Sequence, residues 1–228
     1  MKTIVYIDGY NLYYGCLKNT AYKWLDIYTL FSEHVVKIQS PQAHIEKIKF
    51  FTADVKAKVA SRNQEAQQSQ NNYHRALSAL YPEKIEIIKG YYSLERARLL
   101  RYKQPPDKSD RVDVWRLEEK QTDVNIALHL YRDMIQQHCD QVVIVSNDTD
   151  LVPALQIIRQ DLGQAVNIGV VIPILKPESG KSHRPANASL SQYADWTRRF
   201  LLEHELAASQ LPEKIATRKK PIIKPDYW

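Results

Sequence analysis

Glycine is scarce in this chain, six of 228 residues, well under half of the usual share of about 7%. The spacings GxGxxG and GxxxxGK[ST] do not occur, which argues against the phosphate-cradling loops of Rossmann dinucleotide sites and P-loop NTPases. Cysteine is scarcer still. Cys16 and Cys139 belong to no CxxC or Cys/His cluster, which speaks against a disulfide framework or structural zinc and for a reducing compartment. No apolar run approaches the roughly 20 residues of a membrane span. The opening MKTIVYIDGYN has too short an apolar stretch for a signal peptide. The expectation is a cytoplasmic protein with no membrane partner.

What is present is ordinary globular material: 44% hydrophobic and 25% charged residues, enough for one substantial core. The 32 Lys and Arg against 26 Asp and Glu leave a formal charge of +6, which permits a polyanionic partner without requiring one.

Short β-rich runs at Thr3–Ile7, Lys47–Thr52, Ile85–Tyr91, Gln141–Val145 and Val166–Ile172 alternate with helical candidates at 27–37, 57–81, 122–138, 151–161 and 190–208. In the third candidate Val124, Ala127, Leu128, Tyr131, Met134 and Ile135 repeat at three- and four-residue steps and form one apolar face. Wholly apolar strands alternating with helices predict an α/β fold with a mainly parallel sheet covered on both sides. Two stretches break this rhythm. Residues 93–120, rich in Lys and Arg around Pro105-Pro106, predict an extended basic hairpin or excursion. Residues 209–228, with lysines among prolines, predict a flexible basic tail after a domain spanning 1–208.

The carboxylates fall at telling places. A strand ends in Asp8, Gly9 allows a sharp turn, and Asn11 opens a helix as a possible cap. The run Val142–Val145 leads through Ser146 and Asn147 into Asp148 and Asp150, ahead of a helix with Pro153 in its first turn. Thr122, read as an N-cap, puts Asp123 at the start of another helix. In a parallel sheet, strand C-termini and the following helix N-termini share one edge, where open α/β proteins bind ligands. Four aspartates converging there, with no histidine or cysteine, suit Mg²⁺ or Mn²⁺. Acids at one edge of an otherwise basic protein fit phosphodiester hydrolysis.

IDGYNLYYG after the first strand, EKQTDVNIAL at a helix start and SNDTDLVPAL after the fourth apolar run together resemble the NYN domain, in its LabA-like branch of the PIN-like nuclease superfamily. The resemblance covers about residues 3–200. It implies a PIN-like three-layer α/β/α sandwich and a metal-dependent ribonuclease acting on single-stranded or structured RNA. By motif, Asp8, Asp123, Asp148 and Asp150 would bind metal, and Asn11, Lys120, Ser146 and Asn147 would line the pocket. Asp195 matches a late element that supports the site. LabA-like proteins commonly have glycine where this chain has Thr122.

Around these motifs, Tyr14, with Tyr10 and Tyr13, is placed to stack on bases. Lys181 and Arg184, near His183, lie in a run that could close over the crevice and contact phosphate. Three other readings stay open: an RNA-binding or regulatory protein without catalysis, an enzyme using the same crevice on a small molecule, and a homodimer. Asp148-Thr149-Asp150 also fits the DxDx[TV] loop of haloacid-dehalogenase phosphatases, although that loop belongs to a first strand and its late acidic pair is missing. An EF-hand starting at Asp148 fails for want of its glycine and its final Glu.

Overall fold

The computed structural model describes residues 1–176, 188–218 and 220–228. Its centre is a seven-stranded sheet in the order β4-β3-β2-β1-β5-β6-β7. The strands are β1 (Lys2–Asp8), β2 (His44–Ala53), β3 (Ile85–Leu100), β4 (Arg111–Lys120), β5 (Gln141–Val145), β6 (Asn167–Val171) and β7 (Trp196–Arg198). All neighbours run parallel except β3 and β4.

The helical elements are α1 (Gly9–Leu12), continued by a π turn over Tyr13–Leu17, then α2 (Ile27–Thr29) and α3 (Lys37–Gln39), joined by π-helical Leu30–Val36. They are followed by α4 (Asn63–Leu80), α5 (Thr122–Ile135), α6 (Val152–Leu162), α7 (Ala188–Ser191) and α8 (Glu203–Ala208).

Both faces of the central strands are buried, which is why those strands read as continuous apolar runs rather than alternating ones. Val5 and Ile7 of β1, with Val143 and Val145 of β5, pack against Leu30, Phe31, Leu77 and Leu206 on one side. Ile4 and Tyr6, with Val142 and Ile144, pack against Ile126, Leu130, Leu155 and Ile158 on the other. The result is the expected three-layer, PIN-like α/β/α sandwich. Under α5 the second layer contains a buried polar knot. Asp133 accepts a 2.6 Å bond from the Tyr6 hydroxyl and pairs with the Lys49 ammonium. Both partners of that ion pair are almost wholly buried, so losing one would strand an uncompensated charge and loosen the seat of α5.

Three expectations need correction or detail. The run 190–208 is no single helix: it divides into the end of α7, the short strand β7 and α8. β7 adds a parallel edge against Gly169–Val171. Residues 93–120 form an antiparallel hairpin in which β3 runs on past the sheet and β4 returns beside it. Residues 209–228, expected to be a flexible tail, are packed instead. Leu211, Ile215 and Ile222 are buried, the latter two in a small ribbon of β8 (Lys214–Ile215) and β9 (Ile222–Ile223). The Trp24 indole donates to the Pro212 carbonyl at 2.9 Å, and Trp228 packs edge-on against Trp24. The physical reason is spacing: single apolar residues scattered among lysines and prolines suffice to dock a segment when each finds a hole. Among the described residues no helix is long and apolar enough to cross a membrane.

Candidate active site

The C-terminal edge of the parallel strands carries the site. Asp8, the last residue of β1, is 4% exposed. Its Oδ1 accepts the Asn11 backbone N–H at 3.0 Å, so Asp8 rather than Asn11 caps α1. Its Oδ2 accepts from the Asn11 amide at 2.5 Å and from the Ser146 hydroxyl at 3.0 Å. The Ser146 Oγ also receives the Asp148 N–H at 3.1 Å, and Asn11 Oδ1 receives the Asn147 N–H at 3.3 Å. Asp8, Asn11, Ser146 and Asn147 are thereby knitted across the adjacent strands β1 and β5. Gly9 serves close approach rather than a turn: a Cβ there would lie 2.7 Å from the Phe51 carbonyl and 2.8 Å from the Phe50 ring.

Asp148 caps the turn Thr149–Leu151 through a 3.0 Å bond from the Asp150 N–H. It therefore has an ordinary structural task as well, one that the sequence reading did not assign to it. Asp150 is solvent-exposed and Asp148 partly so.

Asp123 arrives by an unexpected route. β3 leaves β2 at Gly90, and β4 returns until Lys120 stands opposite Tyr91, back at the same sheet edge. Gln121, in the left-handed region at φ 74°, turns the chain into α5. Gln121 is the residue flanking the helix, and Thr122 is its buried first residue. The Thr122 hydroxyl donates to Glu119 at 2.6 Å. A Cβ on Gly90 would lie 2.3 Å from the Lys120 carbonyl and 2.8 Å from the Thr122 hydroxyl, so this crossing depends on glycine.

Electrostatics ties the acids together. Burial raises the Asp8 carboxyl, and Asp148 adds to the rise against the hydrogen bonds that favour the anion. Burial pushes Asp123 up to about 6, helped by the charges of Asp8, Asp148 and Asp150. Burial, then Asp8 and Asp123, pushes Glu119 up to about 7. Glu119 is a fifth member that the sequence reading passed over in favour of Lys120. Strand alternation was the available signal, since neighbours on β4 face opposite ways. The Lys120 ammonium pairs with Glu118 instead.

The donors are hard carboxylates, which suit a divalent cation in kind. Among the described residues, no group of three or more His, Cys, Asp or Glu side chains is gathered closely enough to hold one as the side chains stand. Asp8 and Asp148 are occupied with capping bonds.

Beside the acids lies a cavity of about 550 Å³, lined by Gly9 and Tyr10 next to Asp8 and walled by aromatic rings, with Lys18, Lys23 and Arg62 also lining it. Tyr14, 57% exposed, stacks on Tyr10 and carries the Lys18 ammonium over its ring. Tyr10 meets Tyr92 edge-on, and Tyr227 and Trp228 close the far wall. Asp195 does not support the site. It accepts from the Ile168 N–H at 2.7 Å and pairs with Arg159, at the opposite end of the parallel strands. Lys181, His183 and Arg184 lie outside the described residues.

The family model of the NYN domain matches residues 2–189. This chain belongs to the NYN domain family. The match does not single out the LabA-like branch. A Pseudomonas putida (strain DSM 28022 / S16) protein named 6-hydroxy-3-succinoylpyridine 3-monooxygenase HspA is 42% identical over 249 aligned positions, covering 100% of this NYN chain and 75% of its own length. A crystal structure of a Vibrio parahaemolyticus protein of unknown function aligns over 86% of this chain and 91% of that one, at 17% identity and a TM-score of 0.47. That likeness is too low to bear on function.

Proposed function

We propose that this NYN protein is a metal-dependent ribonuclease that hydrolyses RNA phosphodiester bonds in the acidic crevice. The observation that carries the reading is the gathering of Asp8, Glu119, Asp123, Asp148 and Asp150 at one edge, where burial first and then the neighbouring carboxylates raise three of these carboxyls. Like charges drawn this close are a cost unless a cation offsets them. Asp8, Asp123, Asp148 and Asp150 would hold Mg²⁺ or Mn²⁺ once their side chains draw closer together than they stand. A divalent ion there supplies Lewis-acid polarisation of the phosphate and lowers the pKa of water. The chain's own residues set the geometry. Ser146 and Asn11 fix the Asp8 oxygens, Thr122 orients Glu119, and Asn147 ties the β5 loop to α1. The test is incubation of mixed-sequence single-stranded RNA with the protein in Mg²⁺, Mn²⁺ or EDTA. Internal cleavage with either metal and none in EDTA is expected; RNA left intact under every condition refutes the reading.

A second reading is favoured by the aromatic cavity and by the name of the Pseudomonas relative: hydroxylation of a planar aromatic acid. A volume of about 550 Å³ lies within the usual range for small-ligand pockets, and Lys18 or Lys23 could meet a carboxylate. One atom of O₂ would enter the ring and the other would leave as water, with two electrons from an external reductant. Oxygen uptake driven by 6-hydroxy-3-succinoylpyridine and a reduced nicotinamide, with RNA left intact, would favour this reading over hydrolysis.

A further inference from the structure

We propose that one face of the β3–β4 hairpin is the track along which single-stranded RNA reaches the acidic crevice, with Trp115 and Arg96 as its contact points. This rests on the ribonuclease reading and adds the path of the substrate. The register defines the face. Tyr92 stands opposite Glu119, Leu94 opposite Leu117, Arg96 opposite Trp115, Arg98 opposite Asp113 and Leu100 opposite Arg111. Residues directly paired across an antiparallel ladder share a side. The inner end of this row is already part of the site: Glu119 feels Asp8 and Asp123, while Tyr92 and Leu117 line the aromatic cavity. The same face therefore runs outward from the acids without a break. Trp115 lies four residues from Glu119, about 13 Å along the strand.

The row has the chemistry that holds a flexible polyanion. Trp115 is 72% exposed and Leu117 44%, flat apolar surface beside cationic side chains. Bases stack on such rings whatever their sequence. The Arg96 guanidinium pairs with Asp113 at 3.0 Å, but both side chains are more than half exposed. An exposed pair of that kind is weak, so Arg96 can exchange the carboxylate for a phosphate. The two faces of the hairpin also differ in charge. The track face carries Arg96, Arg98 and Arg111 against Asp113 and, at the crevice end, Glu119. The opposite face balances Arg116 and Lys120 against Glu95 and Glu118, and both of its cations pair with Glu118. Single-stranded nucleic acid is thus favoured over an uncharged partner.

The test is fluorescence anisotropy of a labelled single-stranded RNA in EDTA, comparing wild type with Trp115→Ala, Arg96→Ala and, on the other face, Leu99→Ala. All three sites are exposed, so the fold is spared. Trp115→Ala is expected to weaken binding roughly 5- to 100-fold. Arg96→Ala should weaken it and reduce the salt slope by about one, with Leu99→Ala matching wild type. Equal affinities for all four proteins, or no binding by wild type, would overturn the track. So would a wild-type dimer that Trp115→Ala splits while RNA affinity stays the same, which would make the face a self-interface. Cleavage assays separate this from the underlying reading. RNA that binds through Trp115 but is never cut removes the hydrolysis and keeps the track; RNA cut normally by a variant with unchanged affinity removes the track alone.

Discussion

Asp8 and Asp148 each do two things with one carboxylate: they cap the helical turn that follows and they charge the crevice. The capping role alone would not explain why the charges of Asp8, Asp148 and Asp150 add to burial in raising Asp123 to about 6. Because the charged forms repel, the metal-free protein gives up stability at neutral pH, a cost common at functional sites. Asp148→Asn keeps an oxygen to accept the Asp150 N–H and removes a charge. In EDTA at pH 7 it is expected to raise the melting temperature by about 2–4 °C, equivalent to about 1 kcal/mol, as read by calorimetry. An unchanged or lower value would mean the acids do not strain one another.

His74 offers a second residue-scale prediction. Its ring is buried against Phe50 and Tyr73, its Nδ1 has no hydrogen-bond partner among the described residues, and burial, with Lys89 adding to it, lowers its pKa to about 4. The unfolded chain protonates near pH 6.5, so above that pH both states are neutral and nothing is at stake. As pH falls from 6.5 to 4 the unfolded state takes up the proton first and stability falls, by about 3 kcal/mol in all. His74→Phe should flatten this part of the curve in denaturant titrations at pH 7 and 4.5. Identical pH slopes in the two proteins would contradict it.

Among the elements, the crossing of the hairpin into α5 is the most demanding. Gly90→Ala would press a methyl onto the Lys120 carbonyl and the Thr122 hydroxyl. It is expected to cost about 2–3 kcal/mol and to displace Asp123. Denaturant midpoints and RNA cleavage should fall together; loss of neither would mean that the turn adapts freely.

This is also the scale at which the limits of sequence reading show. Asp8 and Asp148 were legible because a continuous apolar run stops at the first and, two polar residues beyond Val145, leads into the second. Asp123 was rightly brought to the same edge, but through a βα unit that does not exist there: the antiparallel return of β4 does the work. Glu119 was hidden because a pair of adjacent acids beside a lysine gives no hint of which one faces inward until the register is known. β7 was hidden because three half-buried residues carry no period.

At the scale of the whole molecule, the C-terminal segment joins the domain instead of leaving it. Tyr227 donates to the Ser69 hydroxyl at 2.9 Å and Trp228 rests on Trp24 and Tyr73, so the end of the chain walls the aromatic cavity. Trp228→Ala should lower stability by about 1–2 kcal/mol in denaturant unfolding. It should also raise the accessibility of the remaining tryptophans to a quencher. A variant as stable as wild type would show the segment to be detachable. The charge of +6 likewise acquires a layout in which arginines extend along the hairpin and acids gather where it meets the sheet.

Whether this acidic edge cuts RNA is read from one rate. The single-turnover cleavage of labelled single-stranded RNA in Mn²⁺ is measured for wild type and for Asp148→Asn. A loss of about 100-fold or more is expected in a variant that is folded and binds RNA as tightly. Equal rates for the two proteins would contradict it.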